Sequence, residues 1–357
     1  MKVKTVKLCL IGFGNSSREF CRILLERKDR ITELTGNKVE VVAVATKSRG
    51  NLVNPDGLDL EKLLKIAGST SGFHGHPSLV QIGTVDVIEE SRADVLIELS
   101  TLSIKDGQPA LTYIETALNH GLHIITANKG PIAWGYKYLK EKAEQKGLQL
   151  LFESTVMDGT PVFNLVKRTL PDCRVEGFSG ILNSTTNYIL GEMESGLSYD
   201  DALRKAKDQG FVEADPDLDI KGWDAAVKTA VLINVLMDGN VTPLEIDREG
   251  IDGITRDQVE TALRANKRFK LLCEGYHQGG RIYGRVSPQA LDSDHIFCTI
   301  NASSSILCLQ TDLMSELCIV ENNPEIRQTA YGIYSDLLYL LNKQPSSHLM
   351  WGARNVN

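Results

Sequence analysis

Residues 210–230, GFVEADPDLDIKGWDAAVKTA, set five carboxylates (Glu213, Asp215, Asp217, Asp219 and Asp224) ahead of the amine of Lys228. Three chemistries compete for such a stretch: a calcium loop, a solvated acidic turn entering a helix, or a polar pocket for a small cationic substrate. A calcium loop needs glycine after its third ligand and glutamate at its twelfth position. Ile220 follows Asp219, and counting from Asp215 the twelfth residue is Ala226, so calcium is excluded. An acid or two before a helix is ordinary, because carboxylates favour its positive end. Asp224 and Lys228 differ: they stand i, i+4 and share a helix face. Ala225, Ala226, Val227, Ala230, Val231 and Leu232 make that helix apolar nearly all round, hence buried. A buried Asp–Lys pair reads either as part of a site or as a structural ion pair, since buried charges need partners.

Two further motifs carry chemistry. Gly12-Phe13-Gly14-Asn15-Ser16-Ser17 follows the apolar run VKLCLI and opens a helical pattern. The first glycine permits a tight turn, and the second lets backbone approach a pyrophosphate at the positive helix end. A plain glycine-rich turn is the competing reading. The next strand ends in Thr46-Lys47-Ser48-Arg49, without the acid that usually meets the ribose hydroxyls of NAD. Lys47 and Arg49 could hold a 2′-phosphate instead, so NADP is expected over NAD. Two solvated loop cations are the alternative. Later, GLHIITANKGPIA (121–133) ends a strand with Asn128-Lys129-Gly130-Pro131. Ligands of doubly wound sheets bind beyond the carboxyl ends of the strands, which puts Lys129 near the nicotinamide end of a dinucleotide.

The elements that must position these residues are legible as periodicities. VEVVAVAT (39–46), ADVLIELS (93–100) and HIITAN (123–128) read as strands buried on both faces, with helical patterns between them. That alternation predicts a Rossmann-type parallel sheet over residues 1–150. A second α+β domain with an antiparallel sheet is predicted over 151–322. Its strands are read at 148–156, 175–183 and within 280–312, and its helices at 162–170, 198–210 and 222–238. The amphipathic helix 323–342 is expected to join the first domain, and its Tyr331, Tyr334 and Tyr339 to pack there.

Composition narrows the function class. A net charge of −7 argues against nucleic acid, and no apolar run is long enough to span a bilayer. Seven scattered cysteines, none in C-x-x-C spacing, argue against disulfides or zinc and for a reducing cytoplasm. His74 and His76 are read as solvated loop residues.

Together, GFGNSS, TANKGP, FESTV, GILNSTTNYIL and GFVEADPDLDIKGWDAAVK resemble homoserine dehydrogenase, in order and spacing, across about 330 residues. The resemblance implies interconversion of L-homoserine and L-aspartate 4-semialdehyde with a nicotinamide cofactor. It implies an acid–base pair of Lys129 and Lys228, with Asp224 holding Lys228. Glu213 would bind the substrate ammonium, with Asp219, Thr185 and Asn183 shaping that pocket. Gly12, Gly14, Asn15, Ser16, Ser17, Lys47, Arg49, Ser100, Thr101 and Lys129 would meet the cofactor. A monovalent cation, sodium or potassium, would sit on Glu153, Val156, Asp158 and Thr160. A homodimer paired through the second domain is expected, without a regulatory C-terminal domain. Crowding by another cation, or desolvation, is expected to lower a catalytic lysine's pKa. Four departures from the family pattern stand out: Met157-Asp158 in a glycine-rich segment, Ser184 for glycine, Phe211 for tyrosine, and Asn322-Asn323-Pro324 for a glycine-rich turn. They leave two alternatives: an NADP-dependent reductase of a related amino or hydroxy acid, or a catalytically silent nucleotide sensor.

Overall fold

The computed structural model describes residues 3–67, 72–210 and 216–342. The β-branched runs form a seven-stranded sheet. Its strands are β1 (Lys4–Ile11), β2 (Asn37–Ala45), β3 (Asn51–Val53), β4 (Leu79–Val80), β5 (Val95–Glu98), β6 (His123–Thr126) and β7 (Leu150–Leu151). The order is β4-β3-β2-β1-β5-β6-β7. Pairing is parallel from β2 through β7, and β3 and β4 join antiparallel at one edge. Both faces are covered, so the central strands are apolar throughout. On one face Phe20 and Leu24 of the helix Asn15–Glu26 and Ile333 and Leu337 of the helix Ile326–Leu341 pack on Leu8 and Leu10. Ile114, Ala117 and Leu118 of the helix Ala110–Asn119 cover Ile11, Leu96 and Ile124 on the other. The last helix of the described chain therefore lies on the first sheet. Of its three tyrosines only Tyr334 is buried, whereas Tyr331 and Tyr339 stay exposed, contrary to the packing expected of all three.

The second sheet runs β13-β12-β8-β10-β11-β9, with β8 (Val175–Ile181), β9 (Asp247–Arg248), β10 (Lys267–Gln278), β11 (Arg281–Asp292), β12 (Ser305–Thr311) and β13 (Ser315–Glu321). All pairs are antiparallel except β9 with β11. Gly279 and Gly280, both at positive φ, close the β10–β11 hairpin, as a two-residue turn of this hand requires. The helix Trp223–Leu236 lies under this sheet, and all but one of its residues from Ala225 to Asn234 are buried; the exception is Lys228.

Two further expectations fail. The strand read at 148–156 shortens to β7, and the chain turns into a 3-10 segment, Glu153–Thr155. Glu153 N donates to Asp336 Oδ2, and its carboxylate turns back to accept from Phe163 N and Asn164 N. A β ladder could not satisfy those groups. The cysteines are not all isolated thiols either: Cys308 and Cys318 form a disulfide. They lie ten residues apart, but the β12–β13 register sets them directly opposite each other.

Candidate active site

Gly12 sits at φ +91°, and a Cβ there would come 2.4 Å from Leu99 O, so the turn after β1 admits only glycine. Gly14, by contrast, faces open space: no atom lies within 4 Å of the position a Cβ would take. No side chain caps the helix that begins at Asn15, so its first-turn amides are left for an external anion. The Ser17 hydroxyl is buried without a hydrogen-bond partner at the same helix start. These features fit a dinucleotide pyrophosphate. At the end of β2, Arg49 donates its guanidinium to Ala67 O, so Lys47 is the exposed member of the cation pair read there.

The carboxyl ends of β5 and β6 are tied together by Glu98, a residue not singled out from the sequence. It is fully buried, accepts from Ser100 N at 2.8 Å and takes the Thr126 hydroxyl at 2.9 Å. Thr126 Oγ1 in turn accepts from Asn128 N, and Asn128 donates to Ser100 O and caps the next helix through Gly130 N. Lys129 starts that helix, so its position is set by this network. Its only signal in sequence is a lone acid ending an apolar strand. Burial raises the Glu98 carboxyl above the ordinary glutamate range, against the pull of its hydrogen bonds. The folded state therefore keeps the proton longer than the unfolded chain. Stability falls as pH rises from the unfolded glutamate value through the folded one. Glu98→Gln keeps an acceptor for Ser100 N and escapes that loss. It should unfold about 1 kcal/mol less readily than the parent at pH 8, with no difference near pH 4, in urea titrations. A less stable variant at pH 8 would overturn the assignment.

The two lysines converge on Asp224 although 99 positions separate them in the chain. Lys129 Nζ lies 2.5 Å from Asp224 Oδ1, and Lys228 Nζ 3.5 Å from Asp224 Oδ2. All three side chains are less than one-fifth exposed. Lys228 also donates to Leu182 O at 2.5 Å. Asn183 Nδ2 bridges Asp219 Oδ1 at 2.7 Å and Asp224 Oδ2 at 3.1 Å, and the Thr185 hydroxyl reaches Asp219. Asn183 holds this geometry by capping the helix Ser184–Glu194 through Thr186 N. Burial works to raise Asp224, but the Lys129 and Lys228 ammoniums outweigh it and hold this carboxyl below the usual range. Burial, with Asp224 beside it, raises Asp219. For Lys228 burial works downward, yet Asp224, Asp158 and Asp219 lift it above ordinary lysine. The expected depression of a lysine pKa is thus reversed here. Lys228 is cationic at neutral pH and suited to donate a proton or balance an oxyanion.

The other sequence-stretch acids separate. Asp217 is exposed and pairs with Lys221, so this acid belongs to a solvated helix start. Glu213, Asp215 and Phe211 fall outside the described residues. His74 is exposed and His76 Nδ1 accepts from Ser78 N within its loop. Glu153 is buried beside Asp336, and burial pushes the two up to about 7 and about 6. Among the described residues, no basic side chain hydrogen-bonds to either.

Residues 161–338 match the homoserine dehydrogenase family, and residues 12–153 match the homoserine dehydrogenase NAD binding domain. An NAD(+)-dependent homoserine dehydrogenase of Pseudomonas canavaninivorans is 32% identical over 94% of this chain and 96% of its own. A homoserine dehydrogenase of Methanocaldococcus jannaschii is 34% identical, over 94% and 98% respectively. Among solved structures, a putative homoserine dehydrogenase of Archaeoglobus fulgidus superposes with a TM-score of 0.84 at 28% identity, covering 94% of this chain and 99% of that one.

Proposed function

This chain belongs to the homoserine dehydrogenase family of NAD(P)-dependent oxidoreductases, and from that premise we propose how its residues divide the work. The family reaction interconverts L-homoserine and L-aspartate 4-semialdehyde, and the bound nicotinamide supplies or accepts the hydride. The observation that carries the proposal is the single carboxylate, Asp224, shared by two amines from different parts of the chain. In the reducing direction negative charge grows on the aldehyde oxygen. Lys129 and Lys228 balance that charge and one of them delivers the proton, an effect of ~10²–10⁴-fold for a positioned acid. Asn183, Thr185 and Asp219 present polar groups beside the pair and serve the amino-acid end of the substrate. Glu213 is assigned the substrate ammonium from the resemblance alone.

In this reading NADP is preferred and NAD is also used, because the Thr46–Arg49 turn offers Lys47 and no acid. The test follows homoserine oxidation at the nicotinamide absorbance with each coenzyme, beside several related hydroxy acids. Turnover of homoserine with a higher kcat/KM for NADP supports the reading. A hydroxy acid preferred over homoserine would overturn the substrate assignment.

Two expectations from sequence continue as parts of the proposal. A monovalent cation is proposed on the segment from Glu153 to Thr160, at Glu153, Val156, Asp158 and Thr160, whose backbone oxygens are donors of the kind a hard cation takes. Sodium or potassium chloride should raise the thermal midpoint above that in tetramethylammonium chloride at equal ionic strength; equal midpoints would remove the cation. The second sheet exposes Tyr276 and Tyr283, stacked with centroids 6.1 Å apart, and this face is assigned to a second copy of the chain. Sedimentation should give twice the 39.4 kDa of one chain, and a monomer would end this assignment.

A further inference from the structure

A cavity of about 500 Å³ lies where the helices of the two sheets meet, away from the paired lysines. That volume is within the range of small-molecule sites, which concentrate at domain junctions. Its walls come from both parts of the chain: Tyr136 of the helix Lys129–Gln145, Phe163 and Val166 of the helix Val162–Thr169, Val235 of the helix Trp223–Leu236, and Tyr339 of the helix Ile326–Leu341. Among the described residues lining it, the exposed charges are Lys140, Lys167 and Arg168 against Glu144 alone. Two of these cations rest on aromatic walls. Lys140 Nζ lies 5.8 Å from the Tyr136 ring centre, and the Arg168 guanidinium 3.4 Å from that of Tyr339. Among the described residues, none of the three cations has a carboxylate within ion-pair distance. Two buried carboxyls, Glu153 and Asp336, also border the cavity, but their oxygens are taken. Glu153 accepts from Phe163 N and Asn164 N, and Asp336 from Glu153 N and Asn164 Nδ2.

An apolar hollow rimmed by unpaired cations suits a molecule with an apolar body and one anionic head. The body gains by covering Phe163, Val166 and Val235, and the head meets complementary charge at the mouth. We propose that this cavity binds an organic monocarboxylate with an aromatic or branched body, and that binding lowers turnover from a distance. The helices supply the link. Tyr136 stands about two turns beyond Lys129 on one helix, and Val235 about two turns beyond Lys228 on the other. Between the paired lysines and the cavity the two helices are tied, because Asn234 Nδ2 donates to Ala133 O at 3.2 Å. A body wedged against Tyr136 and Val235 shifts one helix on the other, since packed interiors transmit strain. Asp224 then loses its hold on both amines, which it keeps at 2.5 and 3.5 Å. The loss of turnover rests on the reading of Lys129 and Lys228 given above, whereas binding in the cavity does not.

The test titrates phenylbutanoate into the full chain by calorimetry, with its neutral amide and phenylbutylamine as charge controls. The carboxylate should bind about tenfold more tightly than either control, as a charge-assisted contact allows. Lys140→Glu combined with Lys167→Glu reverses two exposed charges at the mouth. It should weaken the carboxylate about tenfold and leave the amide within about twofold. Val166→Phe fills the hollow and should abolish binding of both; if it does not fold, the charge variant decides. In kinetics, saturating phenylbutanoate should lower the parent's kcat for homoserine oxidation about fivefold or more, with KM for homoserine and coenzyme within about twofold. The charge variant should keep the parental kcat when no carboxylate is added. No binding of the carboxylate, tighter binding of the amine, a raised KM at unchanged kcat, or binding that leaves kcat where it was would overturn the proposal. A parent chain that does not oxidise homoserine would instead strike the catalytic reading, and the calorimetry would still decide the binding.

Discussion

Lys228→Ala should lower kcat for homoserine oxidation by ~10²–10⁴-fold while the chain keeps its fold. Lys228 lies on a helix buried on every side, and alanine is the best helix former, so the backbone is undisturbed. Asp224 is not left alone by the change, because Lys129 stays 2.5 Å from its other oxygen. What disappears is a cation that its acidic neighbours keep protonated, anchored on Leu182 O. Lys129→Ala should cost a similar factor, since each amine leaves only its partner to manage the developing charge. Lys228→Arg should not restore activity: the guanidinium is wider than an ammonium and does not release its proton. Steady-state kinetics on variants with parental circular dichroism would settle this. Turnover within about fivefold of the parent for both alanine variants would end the assignment.

The same residues show how far the sequence could be read. Central strands of the first sheet were legible because burial on both faces leaves continuous apolar runs, as in Val41–Ala45. The i, i+4 spacing of Asp224 and Lys228 disclosed their shared face, since helix geometry is local. That Lys129 makes the closer approach to Asp224 was not legible, because it depends on how the sheet and the buried helix pack. Glu98 escaped notice for the same reason: its partners Ser100, Thr126 and Asn128 come from two strand ends. The Cys308–Cys318 bond follows from hairpin register, and spacing rules built on C-x-x-C cannot see it. The strand expected at 148–156 failed because apolar pattern records burial, whereas Glu153 and Asp336 set the backbone through hydrogen bonds. The direction of the Lys228 shift was misjudged on the same ground. Its sign depends on the number of nearby acids, two of which, Asp158 and Asp219, lie far from it in sequence or across a turn.

That dependence makes Asp224 the more informative position. Asp224→Asn keeps the shape but removes the anion common to both amines, leaving two ammoniums facing each other across a neutral amide. The loss should exceed that in either lysine variant on the stability side, on the order of 3 kcal/mol in urea titration, because an uncompensated buried charge is worse than a missing pair. The kinetic consequence has a defined sign. Asp224 is the strongest of the groups that lift Lys228, while burial works to lower it. With the carboxylate gone, burial gains the upper hand and the Lys228 pKa falls. A group acting in its protonated form is then lost at lower pH, so the alkaline limb of kcat/KM should move down relative to the parent. Adding Lys228→Ala to Asp224→Asn removes one of the two opposed cations, and should recover part of the lost stability without recovering turnover. Strict additivity of the two changes in stability, or an alkaline limb that stays where it is in the parent, would show that Asp224 does not couple the amines.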